Sequence, residues 1–286
     1  MAGTITFQGN PLTLVGRMPK IGMPAPDFVV TSQDMKDVRL ADFTGKIKLI
    51  SSFPSLDTPV CDLQVKEFNK KASGLGPDAA VIGISKDLPF AQKRFCHENS
   101  ITNETVLSDY KTSSFGLNHG LLIKEMNLLA RSVRIIDKND VLRYVQLVPE
   151  LTKPPDYDAV LKALADVVKS PAMAVGAGLP ARCTPCEGGV APLPKAKVET
   201  LLAQYRGWQL VEEKKLVKEF KFKDFAGAKY FLDCVSVIAQ EQAHHPTLTL
   251  IYNKVKVALT THAAGGLTDN DFIMAKIIDE LGSNET

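Results

Sequence analysis

The sequence predicts two folded domains in tandem: an α/β domain on a mixed sheet, then a small α+β domain with helices packed on one face of an antiparallel four-stranded sheet. Three observations predict this. Over residues 1–168, short β-rich runs alternate with helical patterns and close on a hairpin and a helix. Over 169–194 the rhythm breaks in a small, Pro/Gly-rich stretch with a Cys-x-x-Cys, which reads as a linker. From 195 to 286 the pattern restarts with strand pairs and long helices. A chain of 286 residues is comfortable for two domains.

Each element has its own signal. Lys48-Leu49-Ile50-Ser51-Ser52-Phe53 reads as a buried strand, and Leu63, Val65 and Phe68 give Cys61 to Lys71 a helical period. Ala80 to Ser85 is the next strand and Pro89 to His97 the next helix. Val133 to Asp137 and Val141 to Val148, joined by Lys138-Asn139-Asp140, read as a hairpin. Asp156 is a suitable cap for a helix running through Val168. This order is a thioredoxin-like plan. In the second domain, Lys195 to Tyr205 reads as a short helix, with strands over Trp208 to Glu212 and Leu216 to Phe222. Asp224 caps a long helix striped by Phe225, Ala228, Leu232, Val235 and Ala239. Strands over Thr247 to Tyr252 and Val255 to Thr261 follow, then a last helix opened by Thr268 and Asp271.

Composition excludes several classes. Hydrophobic content of 45% and charged content of 23% are those of a soluble globular protein. A net charge of +2 without a basic, aromatic-interleaved stripe gives no reason to invoke nucleic acid. No apolar run reaches membrane-spanning length, and the first residues lack the basic and apolar regions of a secretory signal. Five cysteines spread over a long chain argue against a disulfide framework and for reduced or catalytic thiols in a cytoplasmic compartment.

The first candidate site is built on Cys61, which follows a strand and opens a helix. Unpaired helix amides and the positive end of the macrodipole stabilise a thiolate there, and the thiolate is the attacking species. Thr58 can hold a hydroxyl against the sulfur, and Pro54 and Pro59 stiffen the turn. Pro54, Thr58 and Cys61, the run Phe53 to Cys61, the opening Phe7 to Pro11 and the run Asp87 to Cys96 resemble the thiol peroxidase (Tpx) branch of the peroxiredoxins. The resemblance covers about residues 3–168. It implies a peroxidatic Cys61, a resolving Cys96 in the same chain and a pocket completed by Arg131. It also implies hydroperoxide substrates, no bound cofactor and an external thiol reductant such as thioredoxin. Arg134 is the rival to Arg131, and only one of them can face the pocket. His97 and His119 read as surface or loop histidines.

The second candidate site gathers His244, His245 and His262 on turn-like sequence. If the strands on either side of Asn253 pair, His262 returns to the end where the other two lie, with Asp271 nearby. Imidazoles titrate near neutral pH and move protons. Spacing alone leaves zinc binding and acid–base chemistry both open. His244-His245-Pro246, Tyr252-Asn253-Lys254-Val255, Thr260-Thr261-His262, Gly266-Leu267-Thr268 with Asp271, and Trp208 resemble pterin-4a-carbinolamine dehydratase, over about 195–283. That resemblance implies dehydration of a 4a-hydroxytetrahydropterin by His244, His245 and His262, with Asp271 orienting one of them, Thr261 near the pterin, and no metal. Ala263 stands where many relatives carry an acid.

The expected chain is thus a fused bifunctional enzyme, a homo-oligomer with an aromatic amino acid hydroxylase as a candidate partner. The alternative is a peroxidase with a non-catalytic dimerisation or partner-binding module, and a third reading is a peroxide sensor. Cys183 and Cys186 read as a structural loop, or as a tethered dithiol that reduces the Cys61–Cys96 disulfide. Cys234 reads as core.

Overall fold

The computed structural model describes residues 5–72, 78–170, 183–184 and 190–282. The chain divides into two compact units, Met1–Ala177 and Gly178–Thr286. Most of the expected linker, including Cys186, lies outside the described residues.

Unit one opens with the hairpin β1 (Ile5–Phe7) and β2 (Asn10–Leu12), followed by β3 (Leu14–Val15). Its two turn residues, Gln8 and Gly9, both have positive φ, the conformation that lets a tight turn follow the twist of its strands. β4 (Val29–Thr31) and β5 (Asp37–Arg39) make a second hairpin. β6 (Ile47–Ser52) leads into α1 (Pro59–Ala72), and β7 (Ala79–Ser85) into α2 (Pro89–Glu98). β8 (Thr105–Ser108) precedes the short α3 (Ser114–Asn118), and β9 (Leu122–Ile123) and β10 (Leu128–Leu129) come next. The hairpin β11 (Ser132–Ile136) and β12 (Leu142–Leu147) and the helix α4 (Tyr157–Lys169) close the unit. The Asp156 carboxylate accepts from the Ala159 amide, so it caps α4 as its sequence position suggests.

The main sheet has the order β12-β11-β6-β7-β8-β4-β5. β6, β7 and β8 run parallel, while β11 is antiparallel to β6. All six residues of β6 are buried because both faces of the sheet are covered. Successive residues serve opposite faces: Leu49, Val81 and Val133 pack with Phe68, Val160 and Leu164, whereas Ile50, Ile82 and Ile84 pack with Phe28 and Phe115. Emptying the Phe68 position would cost about 3–5 kcal/mol. This is the thioredoxin-like architecture of the sequence reading. The extra strands β1 to β5 and β8 to β10 are too short to show a period.

His119 corrects an expectation. It is fully buried, stacked on Phe115 with ring centroids 4.5 Å apart, and its Nε2 lies 3.1 Å from the Pro26 carbonyl. Burial holds its pKa well below the usual histidine value. His97, by contrast, is exposed near the end of α2.

Unit two comprises α5 (Lys195–Leu202), β13 (Gln209–Val211), β14 (Lys215–Lys221), α6 (Phe225–Gln242), β15 (Thr247–Ile251), β16 (Lys254–Leu259) and α7 (Asp269–Gly282). The four strands form one antiparallel sheet in the order β13-β14-β16-β15. Along β16, Val255, Val257 and Leu259 are fully buried while Lys256 between them is exposed, so one sheet face is apolar and meets α6 and α7. Asp224 accepts from the Gly227 amide and caps α6, contributing about 1 kcal/mol. Cys234 is buried on α6, as its place on the apolar stripe suggests.

Candidate active sites

In unit one the site stands at the carboxyl ends of β6 and β7, where loops leave a parallel sheet. Cys61 is the third residue of α1 and is fully buried. Three groups shape its surroundings. The Thr58 hydroxyl donates to Sγ at 2.8 Å. The Arg131 guanidinium approaches Sγ with Nη2 at 3.4 Å and donates from the same nitrogen to the Leu151 carbonyl at 2.9 Å. Gln64, one helical turn along α1 from Cys61, accepts from Arg131 Nη1 and donates to Ser51 and to the Ser52 carbonyl. A cation and a hydroxyl donor aimed at one sulfur at a helix start stabilise its anion.

Arg134 turns elsewhere. Its Nη2 donates to the His119 carbonyl at 2.7 Å, and burial lowers its pKa to about 9. Of the two arginines, Arg131 is therefore the one at Cys61. Pro54 is buried in the loop ahead of α1.

That loop is pinned by a residue whose role its sequence does not announce. The Asp87 carboxylate accepts from the Ser55 hydroxyl at 2.7 Å, the Leu56 amide at 2.8 Å and the Ser85 hydroxyl at 2.7 Å. Asp87→Ala would therefore cost about 1–3 kcal/mol and loosen the Phe53–Thr58 turn. The measurement is the thermal melting midpoint, which we expect to fall.

Cys96 lies on the inner side of α2, and its sulfur accepts from Gln33 Nε2 at 3.2 Å. Burial raises its thiol pKa. Cys61 and Cys96 share one apolar cluster with Phe53, Leu56, Val65, Ile101 and Val106. Neither is in a disulfide, and neither are Cys183 and Cys234. An open groove of about 650 Å³ reaches Cys96, lined also by Gln33, Lys93, Arg94 and His97.

In unit two the hairpin pairs Thr247 with Ala258 and turns through Tyr252 and Asn253. The end of β16 thus returns to the start of β15, where His244 and His245 stand. Asp271 is fully buried and organises this end. Its Oδ1 lies 2.8 Å from His244 Nε2, and its Oδ2 accepts from the Thr261 hydroxyl at 2.8 Å and the Thr268 amide at 2.7 Å. The last contact is half of a capping box for α7, so one carboxylate caps a helix and orients a histidine. A neutral His244 donates from Nε2 to Asp271, which leaves Nδ1 as its base. His262 follows Thr261 directly, in the short turn His262–Ala264, and is exposed. His245 is exposed beside Gln240, with Nε2 at 3.2 Å from its side-chain oxygen. Thr261 and Thr268, 2.8 Å apart at their hydroxyls, are buried orienters of Asp271. A cleft of about 270 Å³ lies beside this turn, against Gly265, Gly266, Leu267, Leu210 and Lys214. No group of three His, Cys, Asp or Glu among the described residues is arranged to hold a metal ion.

Cys183 is buried in unit two rather than extended from it. Its amide donates to Gln242 Oε1 at 2.9 Å, and Thr184 exchanges hydrogen bonds of 3.0 and 2.7 Å with the Asn270 side chain. Asn270 adjoins Asp271, and Gln242 lies two residues from His244, so this segment braces the histidine site from behind. Asn270→Ala removes two of these bonds, worth about 1–3 kcal/mol together. Trp208, the only tryptophan of the chain, is buried in unit two with Nε1 donating to Asp279 at 3.0 Å, and its fluorescence follows this unit. The Trp208 melting midpoint should fall by roughly 4–8 °C per kcal/mol lost.

Comparison with known proteins follows the same division. The family model described as Redoxin matches residues 20–161, and that described as Pterin 4 alpha carbinolamine dehydratase matches 191–281. A thiol peroxidase of Bacillus subtilis is 47% identical over 165 residues, 58% of this chain and 98% of the relative. One of Oceanobacillus iheyensis is 44% identical over 160 residues, 56% of this chain and 97% of the relative. Among solved structures, a peroxiredoxin-like protein from Aquifex aeolicus is similar at 42% identity and a TM-score of 0.55, over 58% of this chain and 98% of that one.

Proposed function

We propose a two-reaction enzyme: the chain belongs to the thiol peroxidase family over its first unit and carries a pterin 4 alpha carbinolamine dehydratase domain as its second, and each unit uses the site described for it. In the first reaction the Cys61 thiolate attacks one oxygen of a hydroperoxide. The O–O bond breaks, Cys61 becomes a sulfenic acid, and the departing alkoxide or hydroxide takes up a proton. The Thr58 hydroxyl and the Arg131 guanidinium, at 2.8 and 3.4 Å from Sγ, carry this reading. They stabilise the sulfur anion and stand where charge moves onto the leaving oxygen. Cys96 then condenses with the sulfenic acid to a disulfide and water, and an external thioredoxin-like thiol reopens it in a reducing, cytoplasmic setting. The groove at Cys96 supports attack from that side.

Thr58→Val tests the cage. It removes a hydroxyl bonded to a charged sulfur, worth about 1.5–3 kcal/mol, and should slow sulfenic acid formation roughly 10- to 150-fold with the fold intact. An unchanged rate would remove Thr58 from the mechanism.

In the second reaction a 4a-hydroxytetrahydropterin loses water to give the quinonoid dihydropterin. One imidazole protonates the leaving hydroxyl while another takes a proton from the ring N–H. The buried Asp271–His244 pair, with Thr261 and Thr268 on its other oxygen, carries this reading. His245 and His262 are the exposed partners that the pterin reaches, and the shared carboxylate fixes only His244. An aromatic amino acid hydroxylase, whose product is this carbinolamine, is the proposed partner, and affinity capture without one would remove it. A dimerisation module with no turnover needs none of this proton-handling geometry, and activity of the full chain with a carbinolamine separates the two.

A further inference from the structure

Glu104, directly ahead of β8, is a carboxyl that the peroxidase reaction as described does not use. It is only 5% exposed, and neither carboxyl oxygen has a hydrogen-bond partner among the described residues. Its place is against the cluster that holds both cysteines. A Cβ built on Gly83 of β7 would meet Glu104 Oε1 at 2.6 Å and the Phe53 ring edge at 3.3 Å. The carboxyl therefore fills the space left by the missing side chain of Gly83, beside Phe53, which packs with Cys61 and Cys96. A buried, unpartnered carboxyl costs the closed cluster free energy that water would return on exposure.

The cluster also has to open for the reaction. The Cys61 sulfur is engaged by Thr58 and Arg131, and the Cys96 sulfur by Gln33. A disulfide takes both sulfurs off these partners and brings their Cα atoms to within about 7 Å. On the reading that Cys96 resolves the Cys61 sulfenic acid, we propose that Glu104 is a positioning residue for that step: its unpartnered carboxyl, buried with the two cysteines, favours the opening that lets their sulfurs meet. The condensation balances as Cys61–SOH plus HS–Cys96 giving the S–S bond and one water, and Glu104 contributes to the opening rather than to the bond change.

Burial alone pushes the Glu104 carboxyl well above its ordinary value of 4.5. The titratable groups coupled to it are Cys96 on α2 and Tyr157 on α4, both held in their neutral forms by burial, and Cys61 lies in the same cluster. For an acid raised in the closed state, the stability of that state is complete below the ordinary carboxyl pKa and is lost as pH rises toward the raised one. Over that window opening releases one proton and grows up to about tenfold per pH unit. The Cys96 thiol adds a second tenfold through its own ionisation.

The test follows the conversion of sulfenic acid to disulfide after one equivalent of hydrogen peroxide, in the native chain and in Glu104→Gln, with sulfenic trapping and mass analysis across pH. We expect the native rate to climb up to about a hundredfold per pH unit above pH 5 and the variant only about tenfold, with the variant at least about tenfold slower at pH 7. Backbone amide protection of α2 in the reduced proteins gives an independent readout. It should fall with pH in the native chain and stay flat in Glu104→Gln and in Glu104→Leu. Equal pH slopes in native and variant overturn the proposal and leave Cys96 as the resolving residue. If no Cys61–Cys96 bond forms in either protein, the reading of Cys96 fails and the proposal falls with it.

Discussion

Cys61→Ser should lower peroxide-dependent oxidation of a thiol reductant by roughly 10⁴- to 10⁶-fold, the scale seen when a nucleophile that works as part of a unit is removed. A serine hydroxyl keeps the size and the contact with Thr58. It does not ionise near neutral pH, so the helix start and the Arg131 guanidinium have no anion to stabilise. The fold should be unaffected, because Cys61 contributes one small buried atom to a cluster that Phe53, Val65 and Val106 dominate. The same variant should dehydrate a carbinolamine at the native rate, since the histidine site draws on unit two alone. Loss of both activities together would mean that the two sites are not independent.

Asp271→Asn should be the most damaging single change in the second unit. Both carboxylate oxygens are committed: one to His244, the other to Thr261 and the Thr268 amide. An amide has only one acceptor oxygen. It must either abandon the α7 cap and turn its NH₂ on Thr268, or present a donor to His244 and force the opposite tautomer, with Nδ1 no longer a base. The dehydration rate should fall about 10²- to 10⁴-fold, the range over which a positioned acid or base acts. Stability should fall by about 1–3 kcal/mol, read from Trp208 fluorescence. His262→Ala separates the two effects: its side chain is exposed, so the rate should fall without a change in melting.

The parts that were legible in the sequence are those with a local cause. β6 and β7 are apolar runs, α4 and α6 announce their Asp156 and Asp224 caps, and the Asn253 turn fixes where His262 returns. Thr58 and Cys61 are one helical turn apart, and their contact follows from that spacing. What was not legible depends on distant partners. His119 stands between Asn118 and Gly120 and reads as a surface or loop residue, yet Phe28, Phe115 and Pro26 bury it. Asp87 gives no hint of pinning Ser55 and Leu56 from a neighbouring strand end. Glu104 stands in the polar stretch Thr102-Asn103-Glu104-Thr105, yet its carboxyl lies in the space that Gly83, twenty-one residues earlier, leaves open. Cys183 reads as a structural loop or as part of a tether, and the choice between them rests on Gln242 and Asn270, fifty-nine and eighty-seven residues later, which hold it in the second unit.

The most direct measurement is the loss of water from a freshly generated 4a-hydroxytetrahydropterin by the full chain carrying Cys61→Ser, beside the same chain with His262→Ala added. A dehydration rate far above the spontaneous one, reduced about 10²-fold or more by His262→Ala, is the result predicted for one chain with two separate reactions. A rate equal to the spontaneous one, or one indifferent to His262, would contradict it and leave the second unit as a non-catalytic module.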